Sequence, residues 1–282
     1  MKSTLITAQQ LRDLDPGDVL VVDCRFELSD VERGAREYRQ AHIPGAVYAD
    51  LNRDLADLSK QGVGRHPLPE SENFSAVLRR WDWTPHTFVV AYDDAGGALA
   101  AARLWWMLRL CGTSNAAVLD GGIKAWTEAG FALDANVVVR EPSLATVQFD
   151  GSRVVMTDEL QRLRRDPRVL LLDARGAPRY RGDVEPIDRV GGHIPGARNR
   201  PFSDNLDVNG RFKTPAALRS EFESILENHT ADHVVHMCGS GVTACHNLLA
   251  MEHAGLTGSR IYAPSWSGWI ADAQREVAVG AA

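Results

Sequence analysis

The sequence predicts an α/β protein made of two copies of one domain, each a parallel sheet with helices on both faces. Two observations predict it. First, the chain is written twice. Val19-Leu20-Val21-Val22-Asp23-Cys24-Arg25 matches Val169-Leu170-Leu171-Leu172-Asp173-Ala174-Arg175, and His42-Ile43-Pro44-Gly45-Ala46 matches His193-Ile194-Pro195-Gly196-Ala197. Phe88-Val89-Val90-Ala91-Tyr92-Asp93 matches His233-Val234-Val235-His236-Met237-Cys238, and Gly122 to Trp126 matches Ser265 to Trp269. The spacing between partners is nearly constant, which marks duplication of a whole domain. Second, short apolar strands alternate with helical segments, the pattern of a parallel sheet covered on both sides.

The elements follow in the same order in each copy. A helix opens each one, Thr7 to Leu14 and Thr157 to Arg164, with Thr7 and Thr157 as expected N-caps. An apolar strand ending in Asp-x-Arg comes next, then a polar excursion and the His-Ile-Pro-Gly-Ala stretch. Another helix leads to a Val-Val strand, a loop and a long helix. In the first copy that helix is expected over Gly97 to Leu110, with Gly112 past its end. In the second it follows Cys238 and stops at Gly255. A short strand (Ala117 to Leu119; Arg260 to Tyr262) precedes the Trp segment. The copies are placed at 1–135 and 156–282, joined by a linker at 136–155 that holds Pro142.

Composition narrows the function classes. Hydrophobic residues make up 44% and charged residues 24% of the 282 positions, ordinary for a globular protein. The net charge of −6 gives no basic footprint for nucleic acid. No apolar run has the length of a membrane span, and the N-terminus shows no leader-like h-region. The four cysteines, Cys24, Cys111, Cys238 and Cys245, have neither CxxC nor zinc spacing. Reduced thiols and a cytoplasmic location are expected.

The candidate site is Cys238-Gly239-Ser240-Gly241-Val242-Thr243-Ala244, between an apolar strand and a helix. Ligands bind beyond the carboxyl ends of strands in such sheets. Gly239 and Gly241 let the backbone curl, turning amides and a helix N-terminus toward one place. The Cys238 thiolate is the natural anion there. The matching position in the first copy is Asp93, which cannot do thiol chemistry. The first copy is therefore read as inactive and the second as catalytic. Cys245 is expected to be a helix residue packed on the sheet, with trapping of an oxidised Cys238 as a disulfide the alternative; His246 is expected to be structural or partly exposed, and Trp105-Trp106 to lie in a core or at a domain interface.

The paired Asp-x-Arg…His-Ile-Pro-Gly-Ala signatures, the cysteine loop and the Trp266-Ser267-Gly268-Trp269 ending together resemble the two-domain sulfurtransferases of the rhodanese superfamily, over essentially the whole chain. The resemblance implies tandem rhodanese-like domains. It implies ping-pong transfer of sulfane sulfur through a persulfide on Cys238, with no metal or organic cofactor. The loop is similar to that of members preferring 3-mercaptopyruvate; members preferring thiosulfate usually follow the cysteine with basic residues, so thiosulfate stands as the alternative donor. Gly239, Gly241, Val242 and Thr243 would supply amides, and Ser240 would stand at the donor carbonyl. Arg179 matches the family's substrate arginine, whereas Arg175 is expected to pair with Asp173. The expected acceptor is a thiol, thioredoxin or cyanide; neither nucleic acid nor membrane is a partner.

The chain departs from the pattern at three places. Ile187 follows Glu185-Pro186 where a second arginine is usual, leaving Arg189 as the candidate replacement. His66 matches the histidine of an Asp–His–Ser relay, but Asn52 takes the Asp position, with Asp50 and Asp54 nearby. Ala263-Pro264 replaces the usual Asp-Gly. Two rivals come from other classes. A loop-cysteine phosphatase needs an arginine where Ala244 stands. A non-catalytic sulfur-relay module would not need the Cys-Gly-Ser-Gly turn.

Overall fold

The protein is represented by a computed structural model, of which residues 4–281 are described. Residues 1–3, part of the stretch read above for a leader, lie outside the described residues. Among the described residues no helix is long and apolar enough to cross a membrane.

The chain folds as two compact units. One comprises the segment ending at Asp57, Leu68–Asp150 and Val208–Phe212; the other comprises Leu58–Pro67, Gly151–Asp207 and the segment from Lys213. In the first unit, β1 (Leu5–Ile6), β2 (Val19–Asp23), β3 (Val47–Tyr48), β4 (Phe88–Tyr92) and β5 (Ala116–Leu119) form a sheet in the order β1-β5-β4-β2-β3. In the second, β6 (Val154–Val155), β7 (Leu170–Asp173), β8 (Arg198–Asn199), β9 (Val234–Met237) and β10 (Arg260–Tyr262) repeat it as β6-β10-β9-β7-β8. Every pairing between these ten strands is parallel. The helices are α1 (Ala8–Arg12), α2 (Arg33–Gln40), α3 (Leu51–Asp54), α4 (Ser71–Arg80), α5 (Ala101–Leu110) and α6 (Gly122–Glu128), then α7 (Thr157–Leu163), α8 (Ala177–Arg181), α9 (Pro215–Leu226), α10 (Ala244–His253) and α11 (Ser265–Trp269).

The central strands are mostly apolar because both faces are covered, and β2 and β7 each end in a buried aspartate. Val21, Val90, Tyr92 and Trp126 share one core; Leu171, Val235, Tyr262, Trp266 and Trp269 share the other. Each Asp-x-Arg signature is an internal brace. Arg25 grips Asp23 through Nε and Nη2 and donates to Ala41 O; Arg175 does the same with Asp173 and Gly192 O. Arg175 also lies over the Trp266 ring at 4.5 Å. The expected structural role of Arg175 agrees with this geometry. Trp105 and Trp106 are buried inside the first unit, where Arg103 stacks on Trp106.

Four sequence expectations shift. Thr7 caps α1 with a full capping box, but Thr157 is the first residue of α7 rather than its cap, and its hydroxyl bonds Tyr262 OH. The long helix of the first unit starts at Ala101, not Gly97, because the Asp93 carboxylate takes the amides of residues 95, 97, 99 and 101. Most of the expected linker belongs to the first unit: Val147 N donates to Ser75 Oγ, Phe149 N to Ser71 Oγ, and Phe149 packs on Phe74. Conversely, Leu58–Pro67 leaves the first copy and joins the second unit, taking His66 with it.

Candidate active site

Both loops of interest leave the central strand of their sheet at its carboxyl end, Asp93 after β4 and Cys238 after β9. The Asp93 carboxylate is fully buried and accepts four backbone amides: Ala95 and Gly97 on Oδ1 at 2.9 and 2.8 Å, Leu99 and Ala101 on Oδ2 at 3.0 and 3.3 Å. Burial raises Asp93 to about 6, and the amides oppose a further rise. The turn is thus a cradle for an anion, and the first unit fills it with its own side chain.

In the second unit a sulfur takes that position. Cys238 Sγ accepts from Gly241 N at 3.1 Å, and Cys238 is 1% exposed. Gly241 has φ +78°, a conformation natural to glycine. A methyl group at Gly239 would stand 3.2 Å from Arg65 Nη2 and 3.7 Å from Arg179 Nη1, so both guanidiniums lie close to this glycine. The Val242 and Thr243 carbonyls accept from Cys245 and His246 N and open α10. Among the described residues, Gly241 is the loop amide that donates to the sulfur.

The loop is braced by a residue that sequence reading passed over. Ser265 sits at φ +53°, where its duplicate Gly122 has φ +59°. The left-handed region costs a non-glycine residue roughly 1–2 kcal/mol. Here the serine hydroxyl offsets that cost: it accepts from Cys238 N at 3.1 Å and donates to Tyr262 O at 3.0 Å. The match of Ser265 to Gly122 in the repeat was the available signal.

Ser240 is buried, and its Oγ lies 2.8 Å from His66 Nδ1. With Nδ1 unprotonated the serine donates to it. The segment carrying His66 is anchored by Arg65 N, which donates to Ser267 Oγ. Asp50 caps α3 and pairs with Arg53, and Asp54 pairs with Arg80, all inside the first unit.

A charged cluster lies over the loop. Arg179 Nε and Nη2 grip Glu185, Arg179 Nη2 also reaches Asp188 Oδ2 at 3.0 Å, and Arg65 Nη1 reaches Asp188 Oδ1 at 2.7 Å. Arg179 and the amides of residues 187 and 188 hold Glu185 below the usual carboxylate range although burial pushes the other way. Among the described residues, Arg65 Nη2 and Arg179 Nη1, on the side of Gly239, make no hydrogen bond. Arg189 is not part of this cluster; its guanidinium donates to Ile270 O. The second cation at the loop is Arg65, which no local pattern in the sequence marks.

Burial pushes the Cys111 thiol up to about 12, and burial, with Asp23 next, pushes Cys24 well above the ordinary range, so both stay protonated near neutrality. Cys245 is buried in the first turn of α10 with its S–H on Gly241 O, and His246 bonds Asn205, as the packing reading expects.

A rhodanese-like domain model matches residues 7–129 and 156–272. A Pseudomonas aeruginosa protein named "Probable 3-mercaptopyruvate sulfurtransferase" is 48% identical, the match covering 98% of each chain. An SseB protein of Mycobacterium tuberculosis, whose name provisionally assigns it thiosulfate sulfurtransferase activity, is 38% identical over 99% of this chain and 98% of its own. Among solved structures, SseA from Escherichia coli, described with the rhodanese fold and as a 3-mercaptopyruvate sulfotransferase, superposes with a TM-score of 0.81. It is 29% identical, and the match covers 94% of this chain and 100% of that one.

Proposed function

The chain belongs to the rhodanese family, whose domain it carries twice, and from that membership we propose that it is a sulfurtransferase working through a persulfide on Cys238. The first unit is a non-catalytic scaffold and the second holds the chemistry. The observation that carries this reading is Cys238 Sγ in its turn, 3.1 Å from Gly241 N, with two guanidiniums facing Gly239.

The favoured donor is 3-mercaptopyruvate. Its carboxylate would bind the outward N–H groups of Arg65 and Arg179, the bidentate geometry guanidinium favours. The Cys238 thiolate attacks the donor sulfur. An S–S bond forms, the C–S bond breaks, and its electron pair leaves as the enolate of pyruvate. Ser240, bonded to His66, polarises the donor carbonyl, and the donor's thiol proton passes through this pair to the enolate carbon. Gly241 N–H holds the sulfur throughout. A thiol, thioredoxin or cyanide then attacks the outer sulfur, takes it away and restores the Cys238 thiolate. Gly239 and Gly241 shape the site, Val242 and Thr243 open the helix behind it, and Arg189 is left to a structural bond. Neither nucleic acid nor membrane enters the reaction, and the cytoplasm suits its thiol chemistry.

The alternative donor is thiosulfate, favoured by the name of the Mycobacterium tuberculosis relative. A kinetic comparison of the two donors, with cyanide as acceptor, tests the choice. The expected result is a higher kcat/KM for 3-mercaptopyruvate; a clear preference for thiosulfate reverses the assignment. Arg65→Ala and Arg179→Ala should each raise the KM for 3-mercaptopyruvate about 10–100-fold, the worth of one charged hydrogen-bonded contact. An unchanged KM in Arg65→Ala would remove that residue from the donor site.

A further inference from the structure

We propose that Asp188 sets the charge class of the sulfur donor: it holds the two site arginines in place while cancelling their excess charge, so that the site selects a monoanionic donor over a dianionic one. This inference rests on the sulfurtransferase reading and on donor binding at Arg65 and Arg179.

The geometry is specific. One carboxylate bridges two guanidiniums that come from segments far apart in the chain: Oδ1 takes Arg65 Nη1 at 2.7 Å and Oδ2 takes Arg179 Nη2 at 3.0 Å. The Asp188 side chain is 5% exposed, so its charge is poorly screened by water. Its own amide donates to Glu185 Oε1, which fixes the backbone that presents it. Asp188 thereby aligns the outward edges of both arginines toward Gly239. It also balances them. Arg65, Arg179 and Arg175 bring three positive charges; Glu185, Asp188 and Asp173 bring three negative ones, all joined by ion pairs.

A site with donors in good geometry but no net charge recognises a carboxylate by shape and hydrogen bonds. It offers no added attraction to a second negative charge. The two donors differ in this respect: 3-mercaptopyruvate with its thiol protonated carries one charge, thiosulfate two. Removing the Asp188 charge while keeping its shape leaves the cluster at +1. Every donor charge then gains, and a dianion gains twice. At an effective dielectric constant of about 20, one unit charge some 5 Å away is worth well over 10-fold per donor charge, and screening at the open edge reduces this to roughly 10-fold.

The test is Asp188→Asn in the full chain, with kcat/KM measured for both donors over a range of salt. The expected result is a thiosulfate-to-mercaptopyruvate ratio about 10-fold above wild type, with thiosulfate kcat/KM rising in absolute terms and depending more steeply on salt. A purely structural role would lower both donors by the same factor and leave the ratio unmoved, which would overturn the proposal. If Asp188→Asn does not fold, Asp188→Ser carries the same comparison. Wild-type protein that transfers sulfur from neither donor would overturn the sulfurtransferase reading and this inference with it. Wild-type transfer with an unmoved ratio in the variant overturns this inference alone.

Discussion

Replacing Cys238 by serine should abolish sulfur transfer, lowering kcat by roughly 10⁴-fold or more, as loss of a covalent nucleophile does. The substitution keeps the side chain's shape, and serine can still accept the Gly241 amide. The far-ultraviolet spectrum and unfolding midpoint should therefore stay close to wild type. The effect is expected at this cysteine alone. Burial keeps Cys24 and Cys111 as protonated thiols, and Cys245 is spent on Gly241 O. Steady-state assay with 3-mercaptopyruvate and cyanide reads the result. A Cys238→Ser protein with more than a few per cent of wild-type activity would require a different nucleophile.

Asp93→Ala should be the most damaging substitution in the first unit, costing about 3–5 kcal/mol because one truncation orphans four amides in a fully buried turn. Asp93→Asn keeps an acceptor oxygen and should cost distinctly less. The two variants also differ from wild type in pH dependence. Asp93 is raised to about 6 against an ordinary value near 3.8, so the folded state holds its proton more tightly than the unfolded chain. That contribution is fully present below the ordinary value and is lost as pH rises through about 6. Asp93→Asn should lack this slope. Chemical unfolding of the full chain at several pH values, followed through the transition of the first unit, measures both effects. A loss below about 1 kcal/mol in Asp93→Ala would mean that the cradle relaxes when emptied.

Local pattern carried a good part of this structure into the sequence. The repeated Asp-x-Arg, the Val-Val strands and the loop after each central strand are set by neighbours in the chain, so duplication and periodicity reveal them. The Cys238 turn was legible for that reason, and Asp93 supplied an internal comparison for it. What was not legible depends on which distant segment packs over the loop. His66 and Ser240 meet across 174 residues, and only the transfer of Leu58–Pro67 to the second unit allows it. The same transfer brings Arg65, and with it the second cation that closeness in sequence had suggested would be Arg189. Nothing in the local pattern could say that Arg189 turns to Ile270 O or that Asp188 bridges two arginines. The helix start at Ala101 was missed for a related reason: a buried carboxylate took amides that periodicity assigned to the helix.

The persulfide on Cys238 is the central claim, and intact mass spectrometry tests it most directly. Wild-type protein and Cys238→Ser are each treated with 3-mercaptopyruvate without an acceptor, freed of donor and weighed. One added sulfur atom is expected on the wild-type chain, released by cyanide and carried by the peptide holding Cys238, and none on the variant. A wild-type chain that gains no sulfur, or a variant that gains as much, would contradict it.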